Sequence, residues 1–197
     1  SKKVNDEGAW QTNLSETEIL ELLSTFKDIK IGLDIAASSF YMSRTLKDSS
    51  SRSRSRTKSK RKVLDENGRY KYKGKSYSRK EQIFLMNNLI SSYNIFYLED
   101  PLEENDFSGF GKINSSNTLV CADDLTATHL SRVKKAKGKI NAMIVKPNQN
   151  GSLIELAEIL SYCKKNKIKT ILSHRSREPL DDTISDLAFA FQTDFIK

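Results

Sequence analysis

Cysteine is scarce. Cys121 and Cys163 are the only two in 197 residues. They cannot build a disulfide framework and lack metal-ligand spacing, so two reduced, mostly buried thiols are expected. Long apolar runs are also missing. No stretch approaches the ~20 residues of a membrane span, which excludes a helical membrane protein. Ser1-Lys2-Lys3 is not followed by an apolar region, so it does not read as a signal peptide. The sequence also does not open on Met and reads as a piece of a longer protein or a processed product; a cytoplasmic location is expected.

What is present is a core-forming composition with an uneven charge. The chain is 37% hydrophobic and 29% charged, which permits a packed core and argues against a wholly disordered chain. Its formal net charge is +8, which suggests a nucleic-acid or acidic-membrane partner. Position changes that reading. Residues 41–80 hold 15 Lys/Arg and 3 Asp/Glu, a net of +12, whereas the other 157 residues hold 18 and 22, a net of −4. The surplus belongs to one segment. At its centre, residues 48–62 form a low-complexity Arg/Ser/Lys run that buries nothing and repels itself, and is read as a disordered insertion.

The rest of the chain is regular. Ser15 and Glu18 have capping-box spacing ahead of a helix with Ile19, Leu22, Leu23 and Phe26 on its apolar face. An apolar strand over 29–37 follows. Asn67-Gly68, between Val63-Leu64 and Tyr70-Lys71-Tyr72, suggests a small hairpin. Ser78 caps a helix to about Tyr93. Strands near 95–100, 118–123, 142–146, 169–174 and 195–197 then alternate with helices near 103–113, 128–136, 152–166 and 181–191. Such apolar strands between helices mean parallel β/α units. Glu99, Asp123, Lys146, His174 and Lys197 recur every 23–28 residues at strand ends, with Asp34 one unit earlier. In a closed β/α barrel these ends meet at one mouth; a doubly wound open sheet would spread them along an edge. The barrel is the expected fold.

Asp34, Glu99 and Asp123 at one mouth cannot all stay ionised without a compensating cation. Oxygen ligands without His or Cys select a hard ion, so Mg²⁺ is the expected metal. A lysine beside such a cation and a second lysine gives up its proton readily, which makes Lys146 a candidate general base. Ser173-His174-Arg175-Ser176 offers hydroxyls, an imidazole and a guanidinium suited to a phosphate or carboxylate. His129, at a helix start, reads as a surface residue. Metal, base and anion clamp together suggest proton abstraction next to a carboxylate.

At these residues the sequence resembles enolase, the phosphopyruvate hydratase family, across nearly the whole chain outside about 41–75. Val4-Asn5-Asp6-Glu7-Gly8 resembles the family's Gly-Asp-Glu-Gly loop, with Asn5 where Gly is usual. Gly32-Leu33-Asp34-Ile35-Ala36, Leu98-Glu99-Asp100-Pro101 and Ala122-Asp123-Asp124 resemble its three metal strands. Val145-Lys146-Pro147-Asn148-Gln149 is similar to archaeal-type enolases, and Ser173-His174-Arg175-Ser176 completes the set. The resemblance implies an α/β fold, an enolase-type TIM-like barrel that is incomplete in this chain. About six β/α units lie within 1–197, the basic insertion 48–62 lies inside them, and the N-terminal capping domain is absent.

It further implies Mg²⁺-dependent, reversible dehydration of 2-phosphoglycerate to phosphoenolpyruvate. Lys146 would be the base at C2, and Glu7 would contact substrate and act as general acid. Asp34, Glu99 and Asp123 would bind the first Mg²⁺, with a second ion ligated partly from the capping domain. Glu99, His174, Arg175, Ser176 and Lys197 would contact substrate. The family also implies a homo-oligomer, a dimer or larger, and no membrane partner. Asn5 sits where a positive φ is expected, and Asn tolerates one. Arg177 and Pro179 depart from the family's phosphate loop. Two other readings compete: another reaction of the enolase superfamily, which the Ser-His-Arg-Ser clamp disfavours, and a non-catalytic enolase-like protein acting through 48–62, by RNA binding or phosphorylation.

Overall fold

The computed structural model describes residues 3–5, 8–43, 64–65, 67–175 and 181–197. The 48–62 insertion, Val63, Glu7, Ser176, Arg177 and Pro179 lie outside the described residues.

The chain opens with a short antiparallel pair, β1 (Lys3–Val4) and β2 (Trp10–Gln11). The expected positive φ at Asn5 is not found; it falls on Gly8, at φ +79°. Asn5 closes the turn with its side chain, whose Oδ1 accepts from the Ala9 amide at 2.8 Å. Helix α1 (Glu16–Ser24) carries the Ser15–Glu18 capping box. Its buried residue is Leu20, while Leu22 and Phe26 are exposed, so the packed face is rotated from the sequence expectation.

Strand β3 (Gly32–Asp34) leads through a 3₁₀ turn (Ala37–Phe40) into β4 (Tyr41–Met42). β4 pairs antiparallel with β5 (Arg69–Tyr72), which pairs with β6 (Lys75–Ser78). The hairpin therefore turns at Lys73-Gly74, between the paired residues Tyr72 and Lys75, and not at Asn67-Gly68 as the sequence suggested. Gly68 does sit in a turn, its amide donating to the Asp65 carbonyl at 2.9 Å. Its missing side chain makes room for the Tyr41 phenol, which a Cβ there would strike.

Helix α2 (Arg79–Tyr93) starts from a second capping box, Ser78 with Glu81, and ends at Asn94 in a left-handed conformation. Then β7 (Tyr97–Glu99), α3 (Phe107–Phe110), β8 (Leu119–Ala122), α4 (Leu130–Ala136), β9 (Ala142–Val145), α5 (Pro147–Asn150), α6 (Leu153–Lys165), β10 (Lys169–Leu172), α7 (Thr183–Ala190) and β11 (Phe195–Ile196) follow in order. Six of the strands form one parallel sheet in the order β11-β10-β9-β8-β7-β3. The order runs without reversal. A doubly wound sheet reverses at a switch point, so this is a barrel wall.

Alternation along the strands gives the wall two faces. Leu98, Val120, Met143, Val145 and Leu172 pack outward in the large core with residues of the helices, among them Met86, Val133, Leu156 and Ile159. Cys121, Ala142, Ile144 and Ile171 form a separate inner cluster with Tyr97 and Leu119. The wall is strongly curled. Laid flat, its outer strands β3 and β11 would stand five spacings of about 4.8 Å apart, about 24 Å. Yet the Lys197 ammonium, just past β11, lies 3.0 Å from the Asp34 carboxylate on β3. A cleft of about 420 Å³ remains between these edges, lined by Gly32, Leu33, Tyr97, Ile171, Phe195 and Ile196 among others. The fold is a six-stranded, incomplete β/α barrel.

Candidate active site

Inward phase decides which strand-end side chains reach the mouth. Tyr97 and Cys121 belong to the inner cluster, and with a side-chain period of two Glu99 and Asp123 follow on the same face. Ile144 likewise leads to Lys146, and Ile171 to Ser173. Asp34 pairs with Glu99 across adjacent strands.

The structure joins five of these residues into two ion-pair groups. Lys197 Nζ lies 3.0 Å from Asp34 and 2.9 Å from both Glu99 oxygens. Lys146 Nζ lies 2.5 Å from Asp123 Oδ2. Glu99 is 1% exposed. Burial raises its carboxyl above the ordinary carboxylate range, against hydrogen bonds from Tyr97 and Lys197 that favour the charged form. For Lys197, burial alone would disfavour the charge, but its bonds and attraction to Glu99 and then Asp34 outweigh that and raise it.

Three further residues, not singled out for these roles by the sequence, build the site. Tyr97 donates its hydroxyl to Glu99 Oε2 from two residues below on the same face. Burial is the leading cause that raises both its phenol and the Cys121 thiol, so both stay neutral. Asp100, buried, accepts the amides of Asp123 and Asp124 at 3.0 and 2.8 Å. Burial raises its carboxyl, while the two amide bonds oppose that shift and favour the charged form. Thr128, at φ +52°, accepts the Lys146 amide on its hydroxyl at 3.0 Å and donates to Gln149 at 2.9 Å. The Tyr97 role was readable from period two; the other two depend on backbone neighbours that no local pattern shows.

His174 and Arg175 follow β10. The His174 amide and Nδ1 both approach the Lys197 carbonyl, at 3.3 and 3.1 Å, which ties the His174 loop to the last strand. Arg175 is exposed. His129 is an exposed residue that precedes α4, as the sequence suggested. Cys121 and Cys163 are free and buried.

The donor set fits a hard cation. Asp123 Oδ1 is buried without a hydrogen-bond partner, an arrangement that costs about 1–3 kcal/mol unless something satisfies it. Its other oxygen is shared with an ammonium, and no thiolate or imidazole ligand stands among the three carboxylates. Asp100, Asp123 and Asp124 bring oxygens within 4.8 Å of one another, but both Asp100 oxygens are spent on backbone amides. That leaves Asp123 and the exposed Asp124 of this group, while Asp34 and Glu99 meet at Lys197.

The sequence matches the family model of the enolase C-terminal TIM barrel domain over residues 1–197. The chain belongs to the enolase family. It is 33% identical to the enolase of Methanocorpusculum labreanum over 207 residues, 34% to that of Methanosphaera stadtmanae over 206 and 34% to that of Thermoplasma acidophilum over 208. Each comparison covers 98% of this chain but only 45–46% of the relative, so the chain spans about half the length of the curated enolases it matches. The family accounts for the barrel wall. Among the described residues no helix is long and apolar enough to cross a membrane.

Proposed function

We propose that this chain carries the proton-abstracting face of an enolase-type hydro-lyase, for reversible dehydration of 2-phosphoglycerate to phosphoenolpyruvate. The observation that carries the reading is the pair of lysines, Lys146 and Lys197, held at one mouth by carboxylates from three neighbouring strands. In this reading Asp34, Glu99 and Asp123 would hold Mg²⁺. When bound, the ion supplies positive charge that offsets the anion formed on the substrate carboxylate.

Lys146, as the free amine, takes the proton from C2. The electron pair left behind moves into the adjacent carboxylate, whose growing charge Lys197 faces. The C2=C3 double bond then forms as the C3 hydroxyl departs, protonated by Glu7, and leaves as water. Arg175 and Ser176 hold the phosphate, and His174 stands at the substrate beside Lys197. Asp123, which would hold the metal, also meets Lys146 Nζ and so positions the base. A second Mg²⁺ would take part of its ligands from outside this chain, and the working enzyme would be a homo-oligomer.

The test is phosphoenolpyruvate formation from 2-phosphoglycerate by the full-length protein with Mg²⁺. Turnover is expected, and its absence overturns the reading. Lys146→Ala lowers kcat by about 10²–10⁴ and abolishes hydrogen exchange at C2 in deuterated water. Equal rates for variant and parent would remove Lys146 as the base.

A further inference from the structure

We propose that Asp100 is a positioning residue that fixes the three carboxylates of the mouth relative to one another. The proposal rests on the enolase-type reading and deepens it. The parallel ladders stop just short of the chemistry. The β3–β7 pairing ends at Asp34 opposite Glu99, and the β7–β8 pairing ends at Glu99 opposite Cys121. On its other side β8 stays paired one residue further, Ala122 opposite Met143 on β9, so Asp123 stands just beyond the last paired residue of its strand.

Asp100 continues the connection on both sides. Its amide donates to the Cys121 carbonyl at 3.0 Å, and its carbonyl accepts from Ala37, beyond β3, at 3.1 Å. Its carboxylate then takes the amides of Asp123 and Asp124, one on each oxygen, at 3.0 and 2.8 Å. One residue thus bonds to the extensions of both strands that flank its own. It does so at φ +40°, in the left-handed region that Asp tolerates better than most side chains. Asp100 is 3% exposed and both its oxygens are engaged by backbone amides, so it acts on the site through the backbone it holds. A carboxylate fixed this way cannot be replaced by an amide without loss. Asn keeps one acceptor oxygen and sets an NH₂ against the other backbone N–H.

The experiment measures Mn²⁺ binding to the full-length protein without substrate, by the paramagnetic resonance signal of free Mn²⁺. Asp100→Asn is expected to bind about 10–100-fold more weakly than the parent. At saturating metal its KM for 2-phosphoglycerate stays near the parent value. Thr118→Val serves as the control. It removes a buried hydroxyl bond to the Ile95 carbonyl, 2.7 Å long, at the opposite end of the same sheet. It should lower the melting temperature and leave Mn²⁺ affinity alone. Parent-like Mn²⁺ affinity in a folded Asp100→Asn overturns the proposal, as does equal weakening in Thr118→Val. Asp100→Glu, which keeps both oxygens one methylene further out, provides the second variant. If neither variant folds, as judged by circular dichroism, Asp100 is a folding residue and the proposal is wrong. A parent that neither binds Mn²⁺ nor turns over substrate sinks the enolase-type reading itself, whereas an active parent with an unaffected variant sinks only the role of Asp100.

Discussion

Glu99 is the most constrained side chain of the site. It is buried, it meets Lys197 through both oxygens, and one of those oxygens also accepts the Tyr97 hydroxyl. The Tyr97 bond matters because burial already disfavours the charge on Glu99. Tyr97→Phe keeps the ring in the inner cluster and removes the donor alone. Hydrogen bonds to charged groups contribute about 1.5–3 kcal/mol, so the urea midpoint of the metal-free protein should fall by the equivalent of that amount. An unchanged midpoint would mean that Lys197 alone supports Glu99. At this scale the sequence was informative where a polar residue closes an apolar strand, because burial on both faces leaves few other places for Glu99, Asp123 or Lys146 to point. It was silent on Asp100 and Thr128. Each acts on a backbone amide at least 18 residues away, and the sheet that brings them together cannot be read at either position alone.

Secondary-structure elements show the same division between local and distant causes. Helix α2 begins where Ser78 was expected to cap it, since cap and first turn lie within four residues. The hairpin was misplaced because Asn67-Gly68 is a strong local turn signal, whereas β5 pairs with β4 across the basic insertion and with β6 around Lys73-Gly74. Gly74 holds φ +74°, and a Cβ added there would meet nothing within 4 Å. The cost of Gly74→Ala is therefore conformational alone, about 1–2 kcal/mol, and should appear as a lower melting temperature with unchanged turnover. A parent-like melting temperature would show that the turn relaxes freely.

The link into β11 gives a pH prediction. Asp194 accepts Lys169 Nζ at 2.6 Å and the Thr170 amide at 2.9 Å, which tie the loop before β11 to the start of β10. Burial would raise its carboxyl, but the Lys169 and Thr170 bonds outweigh it and hold the group below the ordinary value. A depressed folded pKa adds stability above the unfolded value, about 3.9, and that stability is lost as pH falls through the lower folded value. Asp194→Asn should thus flatten the stability curve below about pH 4, read as urea midpoints across the acid range. A variant with the parent's acid slope would assign that slope to other carboxyls.

Across the whole molecule, charge and sheet edges remain to be reconciled with the site. The run 48–62 contributes 7 Lys/Arg and 1 Asp, a net of +6 of the chain's +8, so its deletion leaves +2. The described strands on either side of it are neighbours, since Met42 pairs with Arg69. Cutting the connection between them from 26 to 11 residues relieves about 0.8 kcal/mol of loop-closure entropy. Deletion should therefore preserve the melting temperature and turnover while abolishing salt-dependent retention on a polyanion column; unchanged retention would place polyanion affinity elsewhere.

The edges carry the last prediction. Among the described residues β3 and β11 each pair on one side only, and Phe195 and Ile196 on β11 are 42% and 54% exposed. Nearby, Phe189 on α7 is 88% exposed. The ion pair of Lys197 with Asp34 closes only the C-terminal rim of the gap between the edges. Below that rim, unpaired backbone groups and apolar side chains stand together, the combination that recruits strands from other chains. The 197-residue chain produced alone should therefore sediment as species that grow with concentration through the micromolar range. Asp and Lys placed at Phe195 and Phe189 should reduce that growth without altering circular dichroism. A chain that stays monomeric throughout would show that the curled wall protects its own edges, and the cleft would then be a closed feature of the six-stranded unit.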